Sequence, residues 1–162
     1  MTVRQPWALH IIQSGKDVEN RVRNIAGNYR GPVAIHAALK PDEQALRDLP
    51  RLPPNGIPRV FEYGAIIGVV DLVDVHSASV IGGCGRMDNH CEEHPNGCRH
   101  HCSPWAMGPA PEGWYQHLVL ANPRKLATHL PFRGALGMRT LDPSTVAQIE
   151  RIGFISHEKF GA

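Results

Sequence analysis

Gly64-Ala65-Ile66-Ile67-Gly68-Val69-Val70-Asp71-Leu72-Val73-Asp74-Val75 decides the fold class. The run is β-branched and apolar on both faces, so it reads as a central strand covered on both sides, with Gly68 as a bulge or barrel bend. Upstream, Val33, Ile35 and Ala37 alternate and predict a second strand, with His36 on its opposite face. Gln5-Pro6 followed by Trp7, Ala8, Leu9, Ile11 and Ile12 predicts a short helix ended by Gly15. Pro41-Asp42-Glu43 opens a second helix whose buried stripe is Ala45, Leu46 and Leu49, and the proline-rich stretch from Pro50 to Pro58 reads as a loop. Downstream, Trp114 to Leu120 and Leu136 to Leu141 predict two more strands, with turns at Asn122-Pro123 and Arg133-Gly134. Asp142-Pro143-Ser144 starts a last helix that places Val146, Ile149 and Ile152 on one face and ends at Gly153. Short strands with a few flanking helices predict an α+β fold, a small β-barrel.

The 162 residues suit one hydrophobic core, and 42% apolar with 20% charged residues exclude disorder and coiled coil. No stretch approaches the ~18 apolar residues of a membrane span, and Met1-Thr2-Val3-Arg4-Gln5-Pro6 lacks the apolar core of a signal peptide. A cytoplasmic protein with no membrane partner is expected. The net charge is +2, but Arg4, Lys16, Arg21, Arg23, Arg30 and Lys40 face only Asp17 and Glu19 in the first forty residues. A basic patch is therefore built early in the chain. Neither a phosphate-cradling glycine fingerprint nor a Gly-x-Ser-x-Gly elbow occurs, so nucleotide-cofactor and serine-hydrolase readings lack support.

All four cysteines, Cys84, Cys91, Cys98 and Cys102, lie within nineteen residues that also hold His90, His94, His100 and His101. A reducing compartment disfavours disulfides, whereas four soft ligands in one loop match a structural zinc site whose binding energy could fold a segment without a core of its own. The expected ligands are Cys84, Cys91, Cys98 and Cys102, with His94 and His101 as alternates. The intervals of six, six and three residues belong to no strong zinc signature, and an open catalytic zinc lacks the motif of nucleobase deaminases.

Several strings in shared order carry a family resemblance: Val3-Arg4-Gln5-Pro6-Trp7-Ala8, Ser14-Gly15-Lys16-Asp17-Val18-Glu19-Asn20-Arg21, Tyr29-Arg30-Gly31-Pro32 and Ile35-His36-Ala37. The 64–73 strand follows, then Leu118-Val119-Leu120-Ala121-Asn122-Pro123-Arg124 and Phe132-Arg133-Gly134-Ala135-Leu136-Gly137. Together they resemble the ASCH domain of the PUA-like superfamily over residues 1–141. The Cys/His-rich insert, residues 76–105, interrupts it, and 142–162 form a C-terminal helical extension. The resemblance implies a compact barrel with a cleft for RNA or another nucleic acid, and makes Lys16-x-x-Glu19-x-Arg21 its cleft motif.

The motif's chemistry is sensible by itself. Positions 19 and 21 share one face of an extended segment, so Lys16 and Arg21 could hold phosphate while Glu19 accepts hydrogen bonds from a base; a surface ion pair is the structural alternative. Gln5, Trp7 and Arg30 are further nucleic-acid-binding candidates. His36 could face the cleft or be a satisfied wall residue, and Trp105 could cover the cleft or pack the insert onto the barrel.

The expected function is binding of RNA or a modified nucleotide in a basic cleft. The alternative is hydrolysis, because some proteins similar to this domain are ribonucleases and others remove acetate from N4-acetylcytidine with a Lys, a Thr and a Glu. Lys16 matches that lysine, but Glu19 stands where the threonine would be, so a hydroxyl nucleophile does not carry over. Catalysis would instead use Glu19 as general base with Lys16 stabilising the oxyanion, and Glu92 and Glu93 are nominal candidates for the family glutamate. A protein-interaction module built on the zinc insert and the last helix is a third class.

Overall fold

The computed structural model describes residues 1–48, 60–78, 84, 87–88, 98–99 and 101–155. Its main sheet has five strands: β1 (Thr2–Val3), β2 (Val18–Arg21), β3 (Gly31–Ala37), β4 (Ala65–Ser77) and β9 (Gln116–Pro131). Their order is β1-β3-β4-β9-β2, so the apolar run of the sequence is the central strand. β1 runs parallel to β3 and β2 antiparallel to β9, which makes the sheet mixed. With three helices, α1 (Trp7–Gln13), α2 (Glu43–Asp48) and α3 (Pro143–Ile152), the class is α+β.

The strand pairing of the described residues does not show the expected barrel closure. β1 and β2 are the two edges of an open sheet among the described residues. A barrel closes by pairing its edges in register, and edges of two and four residues present few backbone groups with which to do so.

Two predictions are corrected. Asn122-Pro123 is not a turn, because β9 continues through it to Pro131. Asn122 takes a φ of 48°, which asparagine tolerates, and its amide donates to Asp71 at 2.9 Å, so the strand bends without ending. Leu136 to Leu141 forms no strand, and Leu136 is fully exposed. The Pro50–Pro58 loop and Leu49 lie outside the described residues. Two short pairs complete the strands: β5 (Met87–Asp88) with β6 (Cys98–Arg99), and β7 (Pro109–Ala110) with β8 (Gly113–Trp114).

The chain divides into two compact units. The first comprises Met1–Gly15, Pro32–Asp71 and Asn122–Ala162. Its core joins Ile66, Val69, Leu126 and Ile149, with Phe132, Leu141 and Ile152 packed on them, so α3 belongs to this core. Asp142 caps α3 by accepting from the Thr145 N–H at 2.9 Å, and Gly153 ends it. α1 buries Ala8, Leu9, Ile11 and Ile12. A Cβ on Gly68 would stand 2.6 Å from the Arg124 carbonyl oxygen and from Ile12 Cδ1, so glycine here permits close approach. The second unit, Lys16–Gly31 and Leu72–Ala121, buries Val18, Leu72, Leu118 and Leu120 and carries both chemical clusters described next.

Candidate metal centre and charged cluster

Four residues far apart in the chain offer donor atoms that all lie within 4.8 Å of one another: His76, Cys84, Cys102 and His117. His76 comes from the end of β4 and His117 from the start of β9, while Cys84 and Cys102 bracket the segment between them. The Cys84 sulfur is 3.1 Å and the Cys102 sulfur 3.5 Å from His117 Nδ1, and the Cys102 N–H donates to Cys84 Sγ at 3.3 Å. The rings of His76 and His117 meet edge to face at 5.4 Å.

Each imidazole is oriented from behind. His117, fully buried, donates from Nε2 to the Met107 carbonyl oxygen at 2.7 Å, which leaves the Nδ1 lone pair toward the thiols. His76 Nδ1 lies 2.7 Å from Asp74 Oδ2, so in the neutral ring the lone pair is on Nε2, which is buried and has no hydrogen-bond partner among the described residues. A buried acceptor with no donor is costly, and a cation at this point would satisfy it. Burial, ahead of the charges of His76, His101 and Lys16, holds His117 below the usual imidazole pKa and favours the neutral form that ligates. Burial, with the neighbouring Cys84, pushes the Cys102 thiol up to about 12; a dication would reverse this by stabilising both thiolates. These four residues could hold a metal ion.

Cys84 and Cys102 are thus two of the four expected cysteine ligands. Cys91 and His94 lie outside the described residues, as does the side chain of Cys98. His101 is exposed, its ring 6.4 Å from that of His117. His76 and His117 were missed by sequence reasoning. The available signal was a histidine at each of the two strand ends that flank the cysteine-rich segment.

The Lys16-x-x-Glu19-x-Arg21 motif lies in the same unit. Glu19 takes Lys16 Nζ on one carboxylate oxygen at 3.3 Å and Arg21 on the other at 3.0 Å. Lys16 also donates to the Val18 carbonyl. The Lys16 and Glu19 side chains are 4% and 10% exposed, whereas that of Arg21 is 28% exposed, so the group is an inward ion pair with a cationic rim. Burial lowers the Lys16 pKa and Glu19 opposes this.

The other candidates have the following partners. Gln5 is fully buried in the first unit, where its side chain accepts from the Leu9 N–H at 3.1 Å and donates to the Glu62 carbonyl at 2.9 Å. Trp7 donates its indole N–H to Asp42 at 3.1 Å. Arg30 is exposed and lies 3.8 Å from Asp74. His36, 5% exposed, places Nε2 2.8 Å from the Phe132 carbonyl oxygen and its ring edge-on to Phe132, which supports the wall reading. Trp105 is half-buried, and its carbonyl accepts from Asn20.

No protein-family model matches the chain, and no curated protein matches it. No helix of the described residues is long and apolar enough to cross a membrane.

Proposed function

We propose that this chain is an ASCH-like, PUA-like nucleic-acid-binding domain that holds RNA or a modified nucleotide at Lys16, Glu19 and Arg21, beside a structural zinc ion. The observation that carries the reading is the convergence of Lys16 and Arg21 on the Glu19 carboxylate, with Arg21 at the accessible rim. A carboxylate oriented by two cations is a preorganised acceptor for a base amino group, and the guanidinium is suited to phosphate. The family assignment rests on the order of the motifs, and the closed barrel typical of that superfamily goes beyond the open sheet described above. A cytoplasmic location belongs to the same reading.

Zinc suits the donor set. Two thiolates and two imidazoles close a tetrahedron, and Zn–S and Zn–N bonds of about 2.3 and 2.0–2.1 Å give S···N edges of about 3.5 Å. The thiol–imidazole distances of 3.1 and 3.5 Å are close to these edges. Four protein ligands leave no open position, which favours a structural role.

RNA binding tests the reading. Arg21→Ala should weaken binding and make its salt dependence shallower, and Lys16→Ala, which removes a buried cation from Glu19, should weaken binding. Variants that bind as wild type return the motif to a structural ion pair. Hydrolysis is a second reading favoured by one observation, the buried Lys16 ammonium held 3.3 Å from the Glu19 carboxylate, where burial lowers its pKa as it does for catalytic amines. Release of acetate from N4-acetylcytidine, abolished by Lys16→Ala, would establish it, and no turnover by wild type would remove it.

A further inference from the structure

Asn20 stands opposite His117 in the β2–β9 ladder, yet its side chain serves the segment that follows Cys102. Its Nδ2 donates to the Trp105 carbonyl at 2.9 Å and its Oδ1 accepts from the Met107 N–H at 2.9 Å. Met107 in turn uses its carbonyl to hold His117 Nε2. One residue earlier than Val18, Asp17 accepts from the Ser103 hydroxyl, whose oxygen takes the Trp105 N–H at 3.0 Å. The backbone from Cys102 to Met107 is therefore tied at its first residue to Cys84, at its last to His117, and along its length to the strand that carries Glu19 and Arg21.

We propose that Asn20 is a positioning residue that couples the ion to the charged cluster: metal bound at His76, Cys84, Cys102 and His117 fixes the 102–107 segment, and Asn20 passes that order to β2. Only a carboxamide supplies a donor and an acceptor at once to a carbonyl and an N–H two residues apart; aspartate keeps the acceptor alone and leucine neither. By linkage, whatever ion binding does for ligand affinity at Lys16, Glu19 and Arg21, the ligand does for ion affinity. The ligand half of this statement rests on the nucleotide-binding reading; the metal half does not.

The test uses the full chain, with Zn²⁺ and a mixed-sequence single-stranded RNA oligomer as probes. Zinc affinity is read by competition with a chromophoric chelator, and hydrogen exchange is followed at residues 18–21 with and without zinc. In the wild type, zinc should slow exchange at 18–21 and tighten RNA binding about fivefold or more. Asn20→Leu should lower zinc affinity on the order of tenfold and make exchange at 18–21 insensitive to zinc. Asn20→Asp, nearly isosteric, provides a folded variant with one tie lost and should fall between the two. Wild-type zinc affinity together with wild-type zinc-dependent exchange in both variants overturns the proposal. RNA that fails to bind the wild type at any zinc level overturns the nucleotide reading and the ligand half of the coupling, while zinc affinity and exchange still decide the role of Asn20.

Discussion

His117 Nε2 lies 2.7 Å from the carbonyl oxygen of Met107, and this one hydrogen bond decides which ring nitrogen meets the two thiols. Because Nε2 carries the proton, Nδ1 is a lone pair between Cys84 and Cys102. The metal-binding capacity of the unit follows from that tautomer.

The ligand set is open to direct measurement. X-ray absorption of the zinc-loaded protein should fit two sulfur scatterers at about 2.3 Å and two nitrogens at about 2.0–2.1 Å. Cys102→Ser and His117→Ala should each lower metal stoichiometry measured under reducing conditions. A four-sulfur shell would instead assign Cys91 and Cys98 to the ion.

Asp74 holds the His76 ring at Nδ1, the nitrogen other than the candidate ligand atom Nε2. Asp74→Asn weakens the hydrogen bond that holds the ring and should reduce metal affinity about 10- to 100-fold, while the metal-free protein melts nearly as wild type. An unchanged affinity in competition titration would remove His76 from the coordination shell.

Glu19 compensates two cations, one of them the buried Lys16. Glu19→Ala removes the carboxylate from that buried ammonium and should cost about 3–5 kcal/mol in urea unfolding. Combining it with Lys16→Met should recover much of the loss, since the buried charge is then gone. Recovery in the double variant distinguishes the charge effect from lost packing.

His36 makes stability depend on pH. Burial, the leading cause, lowers its pKa from 6.5, so in the window below 6.5 the folded chain binds fewer protons than the unfolded chain. Its contribution is present above that value and is lost as pH falls through the folded pKa. His36→Gln should flatten the fall of Tm as pH drops below 6.5, although its Tm near neutrality is lower. Parallel Tm profiles for the two proteins would contradict this.

What the sequence determined by itself is the part that local rules govern. The 64–75 run is central because β-branched residues on both faces need cover on both faces, and Asp142 starts α3 because its carboxylate reaches the N–H three residues on. Cys84 and Cys102 were legible as ligands because soft donors cluster in a segment poor in apolar residues. Lys16, Glu19 and Arg21 were legible as a group because they are only three and two residues apart. Tertiary structure alone decided the rest. His76 and His117 stand 41 residues apart, and only the folding of β4 and β9 brings their rings within 5.4 Å, so no spacing rule could pair them. The Asn122 bend, which carries β9 past an apparent turn signal, likewise depends on a partner distant in sequence, Asp71. Metal geometry and strand continuity are properties of atoms brought together by non-local contacts, and a one-dimensional pattern records such contacts only where they repeat at the period of a helix or a strand.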